Sequence, residues 1–186
     1  RLFTGFLDLQ FRKVKYSIDG FRKNPGLEAL NRYNFFNPKA GISYLKNNWS
    51  GYISFSKGQK EPNRDDFEAG LSQMPKPEKL NDLEAAFEYN NSKYRLGATL
   101  FYMHYKDQLV LTGKINDVGA YTRTNIPKSY RTGIELTGAA SFNKKINLSA
   151  HLSLSKNKVL DFMEYIDDYD NGNQKTNQYI STDIAF

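Results

Sequence analysis

Imidazole and thiol chemistry are scarce in this chain: its 186 residues contain two histidines, His104 and His151, and no cysteine. A disulfide framework, a zinc ribbon, an iron–sulfur cluster and a cysteine nucleophile are therefore excluded, and two imidazoles are too few for a protein-built transition-metal centre. A serine hydrolase needs a His beside an activated Ser and an orienting partner. His151 shares its strand parity with Ser149 and Ser153, but any wet sheet face presents that pattern, so no catalytic residue is assigned and no enzyme is expected. His104 follows Tyr102 where an apolar stretch ends, and it reads as an interface or loop residue rather than an iron ligand. The acidic group Asp161, Glu164, Asp167, Asp168 and Asp170, with Asn171 and Gly172, departs from the twelve-residue calcium pattern of alternating ligands and a closing Glu. It reads as a solvated loop, with no metal and no cofactor. Glu61, Arg64, Asp65 and Asp66 form a second charged loop, which either pairs internally or touches a ligand.

These residues sit on segments of period two. Phe3, Gly5, Leu7, Leu9 and Phe11 oppose Thr4, Asp8, Gln10 and Arg12. Phe36, Pro38, Ala40, Ile42 and Tyr44 oppose Asn37, Lys39, Gly41 and Ser43. Trp49, Gly51, Ile53 and Phe55 alternate with serines, and Leu83, Ala85, Phe87 and Tyr89 oppose Asp82, Glu84 and Glu88. Tyr94, Leu96, Ala98, Leu100 and Tyr102 continue the pattern. So do Ile134 to Phe142 and Ile146 to Leu154, and a last strand is expected from about Gln178 to Phe186. The expectation is an all-β antiparallel meander of about eight strands, one domain over 1–186, with no helix.

The connections alternate in length. Lys46-Asn47-Asn48, Asn90 to Lys93 and Asn143-Lys144-Lys145 are tight and Asn-rich, whereas 17–33, 58–79, 113–128 and 158–177 read as long polar stretches. Tyr44, Trp49, Tyr89, Tyr94 and Phe142 bracket the tight turns, as an aromatic belt at a membrane interface does. Aromatics make up 15% of the chain and alternate with polar residues instead of clustering among Leu, Ile and Val. No run of about 18 apolar residues offers a transmembrane helix, and no cleavable signal opens at Arg1. The 26 Lys and Arg are interleaved with 20 Asp and Glu, so the charge of +6 marks no nucleic-acid stripe. Strands of about 9 to 11 residues suit a bilayer when closed into a barrel. A soluble sandwich or lipocalin-like barrel also alternates, and the turn asymmetry and aromatic brackets favour the membrane barrel.

At Phe35-Phe36-Asn37-Pro38-Lys39-Ala40-Gly41 the chain resembles a TonB-dependent outer-membrane receptor, in which such a run opens a barrel strand. The resemblance continues through Glu61 to Phe67, through Pro75 to Glu84 with its P-E-x-L segment leading into a strand, and through Phe101 to Val110. It reaches Asn125 to Leu136, a pattern that sets a small Gly and an inward carboxylate at a strand start. It implies part of a 22-stranded transmembrane β-barrel from the C-terminal half, with no counterpart of the plug domain or TonB box in these residues. The rival is a complete eight-stranded barrel.

The family implies uptake of a ferric siderophore or other iron complex, energised by TonB through the plug, with outer loops contributing to binding. The residues expected to contribute are Glu61, Arg64, Asp65, Asp66, Tyr121 and Arg123. Outer-membrane lipid is the other partner, and open strand edges of a fragment are expected to self-associate. The alternatives are a porin-like or adhesion barrel and a glycan-uptake receptor of the same superfamily.

Overall fold

The computed structural model describes residues 2–21, 24–69, 74–115, 121–143 and 145–184. Eight strands form one antiparallel sheet in chain order: β1 (Phe3–Phe21), β2 (Asn24–Lys46), β3 (Trp49–Lys60), β4 (Glu78–Asn90), β5 (Tyr94–Ile115), β6 (Tyr121–Ser141), β7 (Asn147–Asp168) and β8 (Asn173–Asp183). Among the described residues the only helical element is the six-residue 3-10 helix Arg64–Ala69 between β3 and β4. β1 pairs only with β2, and β8 only with β7, so the sheet is open at both edges, unlike a closed eight-stranded barrel.

Register places the alternating residues in continuous rows. One outward row runs Phe3, Tyr44, Gly51, Phe87, Ala98, Leu136, Leu152. The next runs Gly5, Ile42, Ile53, Ala85, Leu100, Ile134, Leu154. Between them lies the inward row Thr4, Ser43, Tyr52, Ala86, Thr99, Glu135, Ser153. The outward side chains have no protein partner layer: Leu7, Leu148 and Phe11 are 68%, 62% and 77% exposed. A sheet in water would hide such a face, whereas hydrocarbon solvates it.

Two aromatic girdles bound that face. Phe3 and Phe11, Tyr44 and Phe36, and Tyr94 and Tyr102 each lie eight residues apart on one strand. That separation is about 26 Å of strand, or about 20 Å of height after tilt, close to the apolar band of an outer-membrane barrel. The lower girdle descends across the sheet. Relative to the Phe3 row, Trp49 and Tyr89 lie two residues lower, Tyr94 four and Phe142 six. One residue per strand, at about 3.3 Å rise and about 4.8 Å spacing, is a tilt of about 35–40°. The lower girdle is tightly packed at Trp49, whose ring lies 5.0 Å from Phe87 and 4.6 Å from Tyr89.

Glycines make room for rings on the inward face. A Cβ on Gly41 would stand 2.6 Å from Phe6, and one on Gly133 would stand 2.7 Å from Phe101. Each ring thus covers a neighbouring strand's bare backbone. In the tight turns, Asn91 Oδ1 accepts from the backbone N–H groups of Lys93 and Tyr94 at 2.8 and 2.7 Å, and Asn143 Oδ1 from those of Lys145 and Ile146 at 2.8 and 2.9 Å.

The strands extend well past the upper girdle, which corrects the expected boundaries. Residues 17–33 and 158–177 are mostly β-hairpin, as are the described parts of 113–128. The Phe35–Gly41 and Asn125–Leu136 runs therefore lie inside β2 and β6 rather than at strand starts. The acidic group Asp161 to Gly172 is likewise the end of β7 and a tight turn, not a long loop. Above the girdle the outward face meets water, so the greasy alternation stops while the backbone ladder continues. The last strand is Asn173–Asp183, earlier than expected, because it pairs with the extended end of β7. Phe186 and Lys144 lie outside the described residues.

Candidate functional site

The end of the sheet opposite the tight turns carries three tall hairpins, β1–β2, β5–β6 and β7–β8, and the connection 61–77. Its described residues, 61–69 and 74–77, lie against the inward face and are fastened to both the β1–β2 and the β5–β6 hairpins. On the β1–β2 side, Phe67 is fully buried against Ile18, Leu27 and Ala29, with its ring stacked on Tyr16 at 5.4 Å. Arg12 donates twice to the Glu61 carboxylate, at 3.1 Å to Oε1 and with a second, shorter bond to Oε2. It also donates to the Gln59 carbonyl at 3.3 Å and lies 5.0 Å from the centre of the Phe35 ring.

On the β5–β6 side, Arg123 Nε donates to the buried Asp66 carboxylate at 2.7 Å. The other Asp66 oxygen accepts the Asn63 N–H at 2.6 Å, so the third residue of the 3-10 helix reaches back to the cap residue as the acidic member of a capping box does. Asn125 clasps residue 76 from both sides: its Oδ1 accepts the Lys76 N–H at 2.7 Å, and its Nδ2 donates to the Lys76 and Asp107 carbonyls at 2.9 and 2.6 Å. Asp107 has φ +56° and stands opposite Pro127, which has no N–H for the ladder, so its carbonyl is available to Asn125.

The β5–β6 and β7–β8 hairpins meet in turn. Gly113, at φ +79°, approaches Tyr165 so closely that a Cβ would lie 2.1 Å from the Tyr165 carbonyl oxygen, so only glycine fits. Gln174 donates to the Gly113 carbonyl at 2.8 Å and to Asp167 at 2.7 Å, and Tyr121 OH donates to Asp167 at 2.6 Å. The Tyr121 bond, with Gln174 second, lowers the Asp167 pKa, and the same bond raises that of Tyr121. Lys175 at 2.8 Å, then Asn171, lowers the pKa of Asp168. Burial raises the Tyr16 and Tyr33 pKa values, with Glu61 adding to the shift at Tyr33.

Below this mouth the inward wall is polar. A recess of about 330 Å³ is lined by Glu84, Phe101, Arg131, Glu135, Ser153 and Asn157, and Tyr52 OH donates to Glu84 at 3.3 Å. His151 lies on this face opposite Thr137, and among the described residues no side-chain hydrogen bond joins it to Ser149 or Ser153. His104 pairs with Asn81 and Tyr130 on the outward face at the upper girdle. Among the described residues no cluster of three metal-ligating side chains is present.

The structure thus brings Glu61, Asp66, Tyr121 and Arg123 into the contacts that hold the mouth together, while Arg64 and Asp65 stand on the exposed side of the 3-10 helix, interacting electrostatically with Tyr16. Sequence reasoning missed Arg12, Phe67, Asn125 and Gln174. For Arg12 a signal exists: it is a charge at the point where apolar parity changes along β1.

Tilted strands, one apolar face between two girdles and a polar opposite face define the wall of a transmembrane β-barrel. A family model, TonB dependent receptor-like, beta-barrel, matches residues 6–184, and the chain belongs to that family. No curated relative matches the sequence. Among solved structures, the FrpB iron transporter from Neisseria meningitidis is similar at 18% identity and TM-score 0.68, covering 86% of this chain and 24% of its own. The copper transporter OprC gives 16%, 0.67, 83% and 26%. The ferric-catecholate import receptor Fiu from E. coli K12 gives 19%, 0.56, 86% and 26%. The chain spans about a quarter of the length of these structures.

Proposed function

We propose that this chain forms part of the wall and mouth of an outer-membrane receptor that imports a metal complex, its transport energised by TonB acting through a plug domain. The family match over 6–184 carries the reading. The described part of the connection, fastened against the inward face, supports it, because a strapped-down segment at the mouth can position ligand-contacting groups without closing the pore. Arg64 and Asp65 are the groups offered to ligand. Glu61, Asp66, Tyr121 and Arg123 position the surface that bears them. The barrel wall continues beyond the edges of β1 and β8, and these residues expressed alone associate through those edges.

The cargo is an iron complex such as a ferric siderophore, in keeping with what FrpB and Fiu are named for. OprC is named for copper, so copper belongs in the same test. A strain lacking the receptor is grown on a panel of ferric chelates, haem and copper, with radiolabelled metal uptake measured. Loss on one source, restored by the wild-type gene and not by an Arg64→Ala/Asp65→Ala variant, is expected. Unchanged uptake from every source overturns the reading.

A further inference from the structure

Above the upper girdle, two outward rows carry cations in place of the greasy residues below them. The first runs Lys57, Asn81, His104, Tyr130, Lys158, and the next runs Gln59, Lys79, Lys106, Lys128, Leu160. Lys79, Lys106 and Lys128 stand directly opposite one another on three adjacent strands. Like charges at that separation of about 5 Å oppose strand pairing. Among the described residues none of the three has an ion-pair partner, while Lys158 nearby has Asp183 at 3.2 Å. The neighbouring carboxylate of Glu78 accepts the Leu109 N–H at 2.7 Å, and Asp107 makes no ion pair with the row.

The row continues the hydrocarbon-facing side, two outward positions above Tyr102 on β5 and one above Tyr130 on β6, whose rings are 6.2 Å apart. Because the girdles descend across the sheet by about one residue per strand, the row rises from Lys79, just above the apolar band, through Lys106 to Lys128, and so passes obliquely through the depth of the lipid headgroups on the end that bears the long hairpins. We propose that Lys79, Lys106 and Lys128, flanked by Lys57 and His104, form a docking surface for a phosphate-bearing lipid headgroup of the outer leaflet. Three ammonium groups over about 10 Å match more than one phosphate of a single headgroup. The bound anion relieves the repulsion within the row, and the lipid's chains run down the Leu100 and Leu136 face. Lysine suits this task as a point charge on a flexible stem.

This inference rests on the outer-membrane reading, and fractionation of cells tests that reading separately from lipid binding. The probe is a bisphosphorylated glycolipid titrated into the purified receptor in non-ionic detergent, with its dephosphorylated form and inorganic phosphate as the other arms. Binding is read by native mass spectrometry and by Tm. The wild type is expected to bind the phosphorylated lipid at least 10-fold more tightly than the dephosphorylated form or inorganic phosphate. The Lys79→Gln/Lys106→Gln/Lys128→Gln variant loses that preference. Lys46→Gln/Lys93→Gln/Lys145→Gln, the same charge change at the tight turns, retains it.

The variants also give a change of sign. Lys106→Gln raises Tm in non-ionic detergent, where repulsion is removed, and lowers it relative to wild type once the phosphorylated lipid is added. Equal lipid affinity in wild type and triple variant overturns the proposal, as does inorganic phosphate binding as tightly as the lipid, or a Lys106→Gln effect of the same sign in both media.

Discussion

In β1 and β2 the same two strands obey opposite rules on either side of the upper girdle. Below it Phe3, Leu7, Leu9 and Phe11 point outward, with Ala40, Ile42 and Tyr44 beside them. Above it Val14, Tyr16 and Ile18, facing Tyr33, Asn31 and Ala29, turn the apolar side inward. No backbone irregularity intervenes; the first register shift falls at Asp19/Phe21. The pairing is therefore indifferent to which side is greasy, and the solvent outside decides. Hydrocarbon selects apolar residues outward in the band. Water outside the mouth reverses the choice, and a small core around Phe67 takes the inward apolar residues.

The two regions accordingly depend on different stabilising contacts, and substitutions should separate them. The largest effect is expected from Phe67→Ala, which empties the mouth's core at a cost of about 3–5 kcal/mol. Hydrogen exchange should show faster opening of 61–69 and of the β1–β2 hairpin, with β4 to β7 below the girdle unchanged. Loss of protection in the band as well would mean that the two regions are one cooperative unit. Ala98→Arg comes next. Ala98 lies four residues from both Tyr94 and Tyr102 on the outward face, at the middle of the hydrocarbon, and an Arg there should cost about 2–4 kcal/mol in denaturant unfolding from bilayers. Leu30→Arg, outward but above the band, should change stability by less than about 0.5 kcal/mol. Equal costs would remove the distinction between the regions.

Arg123→Ala should cost about 1.5–3 kcal/mol of mouth stability, since it leaves the buried Asp66 carboxylate with one partner fewer. The measurement is protease sensitivity of the 61–77 connection, and an unchanged cleavage rate would show that the Asn125 clasp suffices. The smallest effect is a pH dependence at the β7–β8 tip. Asp167 and Asp168 have lowered pKa values in the folded state. Their contribution is present above the ordinary carboxylate value of about 3.9 and is lost as pH falls through the folded values. Amide protection at Asn171 and Gly172 should be the same at pH 7 and pH 5 and fall in stronger acid. Loss between pH 7 and pH 5 would contradict the assignment.

The same contrast explains what the sequence discloses. Every outward residue between the girdles was readable from parity, because one solvent acts on all of it and the pattern does not depend on which strand is next. The upper halves of the strands were not. In 17–33 the apolar parity inverts, and Asp19-Gly20 and Asn24-Pro25-Gly26 resemble the punctuation of a loop. Residues 158–177 carry charge on both faces. The charged group 61–66 was recognisable as a candidate, but its arrangement was not, since Arg12 and Arg123 lie 49 and 57 residues from their partners. The lysine row needs the register of β4, β5 and β6 before its three charges become neighbours.

The two sides of this sheet face hydrocarbon and water, and thiol labelling tests that most directly. These residues contain no cysteine, so single cysteines can be placed at will. With the receptor in lipid bilayers, cysteines at Ala98, Leu100, Leu136 and Leu152 should resist a membrane-impermeant thiol reagent, and those at Thr99, Glu135, Thr137 and Ser153 should react. The alternation should disappear above Tyr102. Equal labelling of the two sets, or protection of the Thr99 set instead, would contradict the account.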